Sequence, residues 1–402
     1  MSRRLITLSL IALLTSALLS PQLPPAQKLS PEDDREFNKE LERLRSLLST
    51  ANDRAAVELQ IANTYAAGGQ YVEAIQRLRE LVDANLGIDP SGDPDFESVR
   101  NTVEFQAIME QVRRQTPRVS NSHRIATIDK RDIFPENLAF DPKRRAFYLG
   151  STARNAIVKC SVRGVCRPFV GQSGETKAYI LGLKIDQPSN AIWATTNTSN
   201  GASLCRYNLE TGNLEQSARL EGKHLFNDLA ISRKGVVYVS DTSEGAVYQL
   251  NIHNNTLRKV ASEHTFAAAN GIAISPDQTL LYVSVWGDGI DVIDISSGSV
   301  RPVPHPDNIC LSFIDGLYAT KGSLVAIQNG PMVPRIVQFG LSKSGKEIVD
   351  MKVVERRNPL FDGLTTGALV GNDLYYVANP QIDKKNGGRL DPLQILAIRV
   401  KR

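Results

Sequence analysis

The hydrophobic positions of this chain change period once. From about residue 30 to 118 apolar residues recur three and four apart, as on one face of a helix; Phe37, Leu41, Leu44 and Leu47-Leu48 set the pattern. Ser30-Pro31-Glu32-Asp33 opens the stretch with a capping serine, a proline at the first helical position and acids in the first turn. Two more helices are predicted over about 53–67 and 71–84, with Gly68-Gly69 between them. A further helical stretch is predicted over 96–115, after the turn-rich segment 88–94. Residues 116–124, polar with one proline, read as a linker.

Beyond residue 124 helical spacing disappears, and short apolar runs alternate with Gly, Asn, Asp and Ser turns. The clearest unit is 226–241, FNDLAISRKGVVYVSD: a polar pair, a short apolar strand, a turn, and a second strand rich in Val and Tyr. It returns as NGIAISPDQTLLYVS from Asn270 and DGLYATKGSLVAIQ from Asp315. Looser copies begin at Glu136 (ENLAFDPKRRAFYLGS), Leu181 (LGLKIDQPSNAIWATT) and Thr366 (TGALVGNDLYYVAN). The anchors 136, 181, 227, 270, 315 and 366 are separated by 45, 46, 43, 45 and 51 residues. A near-constant period in this range predicts a six-bladed β-propeller over 123–402, a mainly β fold preceded by a small α-helical segment over 30–118. The last copy is short of a full period. The early strand 123–128 (HRIATI) is expected to complete its blade and so join the two ends of the ring.

Composition adds compartment and excludes one class. The 402 residues are 42% hydrophobic and 22% charged, with a net charge of +4, ordinary values for a globular protein. No basic tract or aromatic-basic run points to nucleic acid. Arg3 and Arg4 precede a 15-residue apolar run, 5–19, and Pro21, Pro24 and Pro25 follow. That order predicts a signal peptide over 1–26, cut after Ala26, or an uncleaved anchor. Either places the remainder outside the cytoplasm, periplasmic or secreted; no Cys follows the run to anchor a lipid. Cys160 and Cys166 flank a hairpin turn and are either a disulfide or two separate buried thiols. Cys205 and Cys310 read as core fillers, and no CxxC is present.

Each anchor starts an inner strand, so the six should face one another at one mouth of the channel. They read Glu136, Leu181, Asn227, Asn270, Asp315 and Thr366. Asn and Asp also precede strands simply as turn residues. Two carboxylates and two amides at equivalent positions nevertheless form a hard-oxygen set suited to Ca²⁺, or to Mg²⁺ or Mn²⁺ in tighter geometry, and no Cys or His suggests zinc. His224, three residues before Asn227, is a candidate base or a plain loop histidine.

Two resemblances follow from these residues. ANTYAAGGQYVEAI (62–75) resembles a tetratricopeptide hairpin, which implies either a docking site for a protein partner or a collar packed on the propeller. The repeats, NDLAIS and NGIAISPD above all, resemble those of the senescence marker protein/gluconolactonase family, itself similar to the paraoxonase and strictosidine synthase-like propellers. The resemblance implies a divalent metal in the channel held by Glu136, Asn270 and Asp315, with Asn227 a ligand or a substrate contact. It implies hydrolysis of small-molecule lactones or related esters, with Asp315 as base, or alternatively Glu136, or His224 as in the paraoxonase branch. The chain departs from the family in two places: Pro-Glu-Asn stands where Glu-Gly-Pro is usual, and the stretch around Ser284-Val285-Trp286 lacks the usual Asp directly after the strand. Arg154 and Arg206 are the candidates for a substrate-reading arginine. The other class left open is a non-catalytic propeller whose helical arm binds a partner.

Overall fold

The computed structural model describes residues 22–171, 178–261 and 265–400. The apolar run of the N-terminus lies outside the described residues. Four α-helices come first: α1 (Pro31–Leu47), α2 (Arg54–Ala67), α3 (Tyr71–Asp83) and α4 (Val103–Gln115). Ser30 and Asp53 cap α1 and α2 through their side-chain oxygens. The last helix starts at 103, not 96, because two caps interrupt it. Asp93 accepts from Asp95 N–H and closes a single turn; Thr102 Oγ1 then accepts from Phe105 N–H and starts the helix anew. Among the described residues no helix is long and apolar enough to cross a membrane.

Six four-stranded antiparallel sheets follow. Their inner strands are Pro135–Asp141, Tyr179–Asp186, Phe226–Ile231, Ala269–Ile274, Ile314–Thr320 and Gly367–Val370, and successive ones touch around a ring. These are blades 1 to 6 of a propeller. The sixth sheet takes its outermost strand from the other end of the chain: His123–Ile128 pairs antiparallel with Leu393–Arg399. Closure of this kind removes the exposed edge that an open stack would leave.

The helices are fused to the ring. Leu78, Phe96 and Phe105 share one buried cluster with Cys310, Phe313, Met332 and Val333 from blades 4 and 5. Residues 116–124, read as a linker, are held against blade 5. Val119 pairs with Arg356, and the N–H groups of Asn121 and Ser122 both donate to the buried Glu355 carboxylate. Cys160 and Cys166 form a disulfide across their hairpin, and Cys205 and Cys310 are buried free thiols.

In five blades the inner strand slips register at the anchor, between 135 and 138, 180 and 183, 226 and 229, 269 and 272, and 314 and 317. Such a bulge re-aims side chains out of the normal alternation. The residues one past the anchors are Asn137, Gly182, Asp228, Gly271, Gly316 and Gly367. The glycines let neighbouring backbones close in. A Cβ on Gly271 would lie 2.5 Å from the Asp315 carbonyl oxygen, and one on Gly182 2.6 Å from that of Asn227. Gly271→Ala is therefore expected to lower stability by about 1–3 kcal/mol through overpacking, read as a reduced denaturant midpoint.

Candidate metal centre at the collar mouth of the channel

Trp286, Phe313 and Met332, which flank the strand ends beside the anchors, pack against the helices. The anchors thus lie at the mouth that carries the helical collar. Asp315 is nearly buried and is held by its neighbours: Asn329 Nδ2 donates to its Oδ2 at 2.8 Å and to Leu364 O at 2.5 Å. The Asn270 side chain bonds the same carboxylate. Burial pushes Asp315 up to about 6, against the pull of these two donors, and the charge of Asp228 adds to the rise.

Glu136 is enclosed by protein yet keeps part of its surface open to the channel, and no described residue hydrogen-bonds its carboxylate. Burial raises it well above the ordinary range, and repulsion from Asp315 and Asp228 raises it further. Its carbonyl oxygen accepts from the hydroxyls of Thr365 and Thr366, at 2.8 and 2.9 Å, which tie blade 1 to blade 6. Asp228 is 1% exposed; its Oδ1 lies 3.5 Å from both Asn137 Nδ2 and Lys184 Nζ. Its Oδ2 has no partner, nor do the side-chain oxygens of Asn137, Asn270 and Asn329. A buried polar atom left unpaired costs about 1–3 kcal/mol. Four such oxygens around crowded carboxylates form an environment that a cation would satisfy.

The backbone singles out the same blades. Phe134, Ala268 and Phe313 have φ of +49°, +54° and +62°, and each stands two residues before Glu136, Asn270 or Asp315. Non-glycine residues adopt this region at a cost and persist there when the surroundings hold them. In all three the strained residue's carbonyl accepts an N–H from just beyond the second strand, from Thr152, Trp286 and Asn329 at 3.2, 3.3 and 3.2 Å. Blade 3 makes the same bond, Thr242 to Leu225, without the positive φ. Asn227 differs accordingly: it is part-exposed, and its amide donates to Thr242 Oγ1 at 3.1 Å.

The remaining sequence candidates sit elsewhere. His224 Nδ1 is 2.5 Å from Asp241 Oδ2, with the ring edge-on to Tyr248 in the third strand of its own blade. The other Asp241 oxygen accepts from the N–H groups of Leu225, Ser243 and Glu244, so the pair braces a turn. Arg154 pairs with Asp132 on an exposed loop, and Arg206 with Glu215 between the outer strands of blade 2. Among the described residues no three His, Cys, Asp or Glu side chains form a ligand group, so any cation here relies on amides beside the carboxylates.

Sequence reasoning missed Asp228, Asn137 and Asn329. The first two had a signal: one past the anchor, four blades carry glycine, and only these two carry a polar side chain. Asn329 has none, since it lies beyond the second strand, outside the anchor pattern. Three past the anchor, Lys184 of blade 2 and Tyr318 of blade 5 project from opposite blades. Lys184 Nζ stands 5.2 Å from the Tyr318 ring centre, and the Tyr318 hydroxyl accepts from Gly367 N–H at 2.5 Å. The two side chains meet across the channel and floor the carboxylate layer.

No protein-family model and no curated protein sequence matches the chain. Solved structures do. The major allergen Mala s 1 of Malassezia sympodialis is 17% identical with a TM-score of 0.54, over 69% of this chain and 96% of that one. The PQQ-bound aldose sugar dehydrogenase of Streptomyces coelicolor is 15% identical with a TM-score of 0.47, over 71% and 100%. A gluconolactonase of Xanthomonas campestris is 15% identical with a TM-score of 0.47, over 70% and 88%. At these identities the likeness is one of fold.

Proposed function

We propose that the chain is an exported, divalent-cation-dependent hydrolase of lactones or related esters, with the cation held at the collar mouth by Glu136, Asn270 and Asp315. The observation that carries this reading is the unpartnered Asn270 Oδ1 beside two acid-raised carboxylates, on the three blades whose backbone is strained at the same position. The repeat resemblance supplies the substrate class. Hard oxygens of mixed charge favour Ca²⁺ over Mg²⁺ or Mn²⁺. The disulfide agrees with an oxidising compartment.

A bound divalent cation would polarise an ester carbonyl and make a nearby water more acidic. The chain's own groups divide the remaining work. Asn329 and Asn270 fix Asp315, which suits it to ligation. Glu136, with no hydrogen bond to a described residue, would hold the cation through one carboxylate oxygen and has the other left to accept a proton from water. His224 is committed to Asp241 and takes no part.

The test has two readouts. Calcium added to chelator-treated protein should raise Tm, since a ligand bound only by the folded state stabilises it. A panel of lactones and aryl esters should turn over with calcium and not with chelator. Absence of any divalent-cation shift would sink the reading. A cation shift without turnover would favour the second reading, a binding module whose helical segment, seated at the same mouth, engages a protein partner.

A further inference from the structure

Below the Lys184–Tyr318 floor the channel continues to the opposite mouth, where the turn residues Pro142, Gln187, Gln278 and Gly371 follow the inner strands. The space is a cavity of about 450 Å³ lined by all six inner strands. Four residues past the anchors stand Phe140, Ile185, Ile231, Ile274, Ala319 and Val370, one per blade, every one part-exposed. All six are apolar and five are bulky; each packs on one side against the core between blades and on the other lines the cavity. The volume falls in the range of small-molecule sites, which are typically apolar in most of their lining with a few polar groups.

The charged group at the inner end of the chamber is Lys184. Lys184, with 22% of its side chain exposed, has three N–H donors. Its described neighbours are Asp228 Oδ1 at 3.5 Å and the Tyr318 ring face, so the ammonium keeps donor capacity. Asp228 already balances its charge, and Glu136 and Asp315 lie behind. A second anion would meet a net negative field there, whereas a neutral oxygen acceptor would not.

We propose that this chamber is a binding site for a small uncharged apolar molecule carrying one hydrogen-bond-accepting oxygen, such as a medium-chain ketone, with the oxygen on Lys184 and the chain inside the apolar ring. The site is separate from the cation centre and opens at the other mouth.

The experiment is calorimetric titration of the full chain with 2-nonanone and with nonanoate, in chelator and in calcium. The ketone should bind saturably with one site per chain, unchanged by chelator, and at least fivefold tighter than the carboxylate. Ala319→Trp and Val370→Trp, which fill the ring from different blades, should each weaken binding tenfold or more, with Tm as the check on folding. Lys184→Met should weaken the ketone about fivefold and leave binding of nonane unchanged. No saturable binding, binding indifferent to both tryptophans, or tighter binding of nonanoate would overturn the proposal. Loss of calcium response with ketone binding intact would count against the cation centre alone.

Discussion

Asp53→Ala should destabilise the chain by about 3–7 kcal/mol, because it removes a helix cap and the shared acceptor of two buried N–H groups. One Asp53 oxygen caps α2 through Ala55 N–H at 3.0 Å; the other accepts from Leu311 and Ser312 N–H, at 2.5 and 2.8 Å. The residue is 3% exposed, so alanine leaves two backbone donors buried and unpaired as well as removing a cap. Leu311 and Ser312 directly precede the strained Phe313 and then Asp315, so calcium affinity should fall too. Asp53→Asn retains one accepting oxygen and should lie between. Denaturant midpoints and a calcium titration on the three proteins decide it; a wild-type midpoint for the alanine variant would show that the latch contributes nothing.

Asp315→Asn should change sign with calcium. The ordinary aspartate value is 3.8 and burial lifts Asp315 to about 6. Between those values the folded state binds more protons than the unfolded one, so stability falls as pH rises from about 4 to 6, and the deficit persists above. Two units correspond to about 3 kcal/mol. The amide has no charge to bury but deprives one neighbouring donor of its acceptor. In chelator the variant should therefore match wild type near pH 4 and exceed it by about 1–3 kcal/mol at pH 7. In saturating calcium the order should invert, because wild type gains the cation and the variant does not. Thermal melts at both pH values, with and without calcium, test all four corners; a variant less stable than wild type in chelator at pH 7 would refute the buried-charge account.

Much of this was legible in the chain. The period of the repeats gave the blade count, and HRIATI gave the closing strand, because strand-turn-strand units leave a local pattern that survives divergence. The anchors Glu136, Asn270 and Asp315 came with them. What did not show is whatever depends on the bulge and on contacts between blades. Asn227 and Asp228 are adjacent in sequence, yet the slip in register buries Asp228 with an unpaired oxygen and leaves Asn227 part-exposed on Thr242. Lys184 and Tyr318 belong to blades 134 residues apart and meet only because the ring sets them opposite. His224 had a suggestive position in the sequence, but its partner Asp241 lies across a hairpin that spacing does not reveal. Likewise 116–124 read as a linker because its polar residues gave no hint of the buried Glu355 that receives them.

The strand swap that closes blade 6 also sets a timetable. His123 pairs with Ala397 and Ile128 with Leu393. During synthesis the earlier strand emerges well before its partner, by on the order of 15–50 s at ordinary elongation rates. For that interval blades can form one after another, each supported by the one before, while the ring stays open and His123–Ile128 waits with its hydrogen-bonding edge unpaired. Nor is the layer of carboxylates and amides at the collar mouth complete any sooner, because Glu136 comes from the first blade and the threonines that brace it from the last. Until the last strand is made, neighbouring nascent chains can therefore pair with one another at that edge.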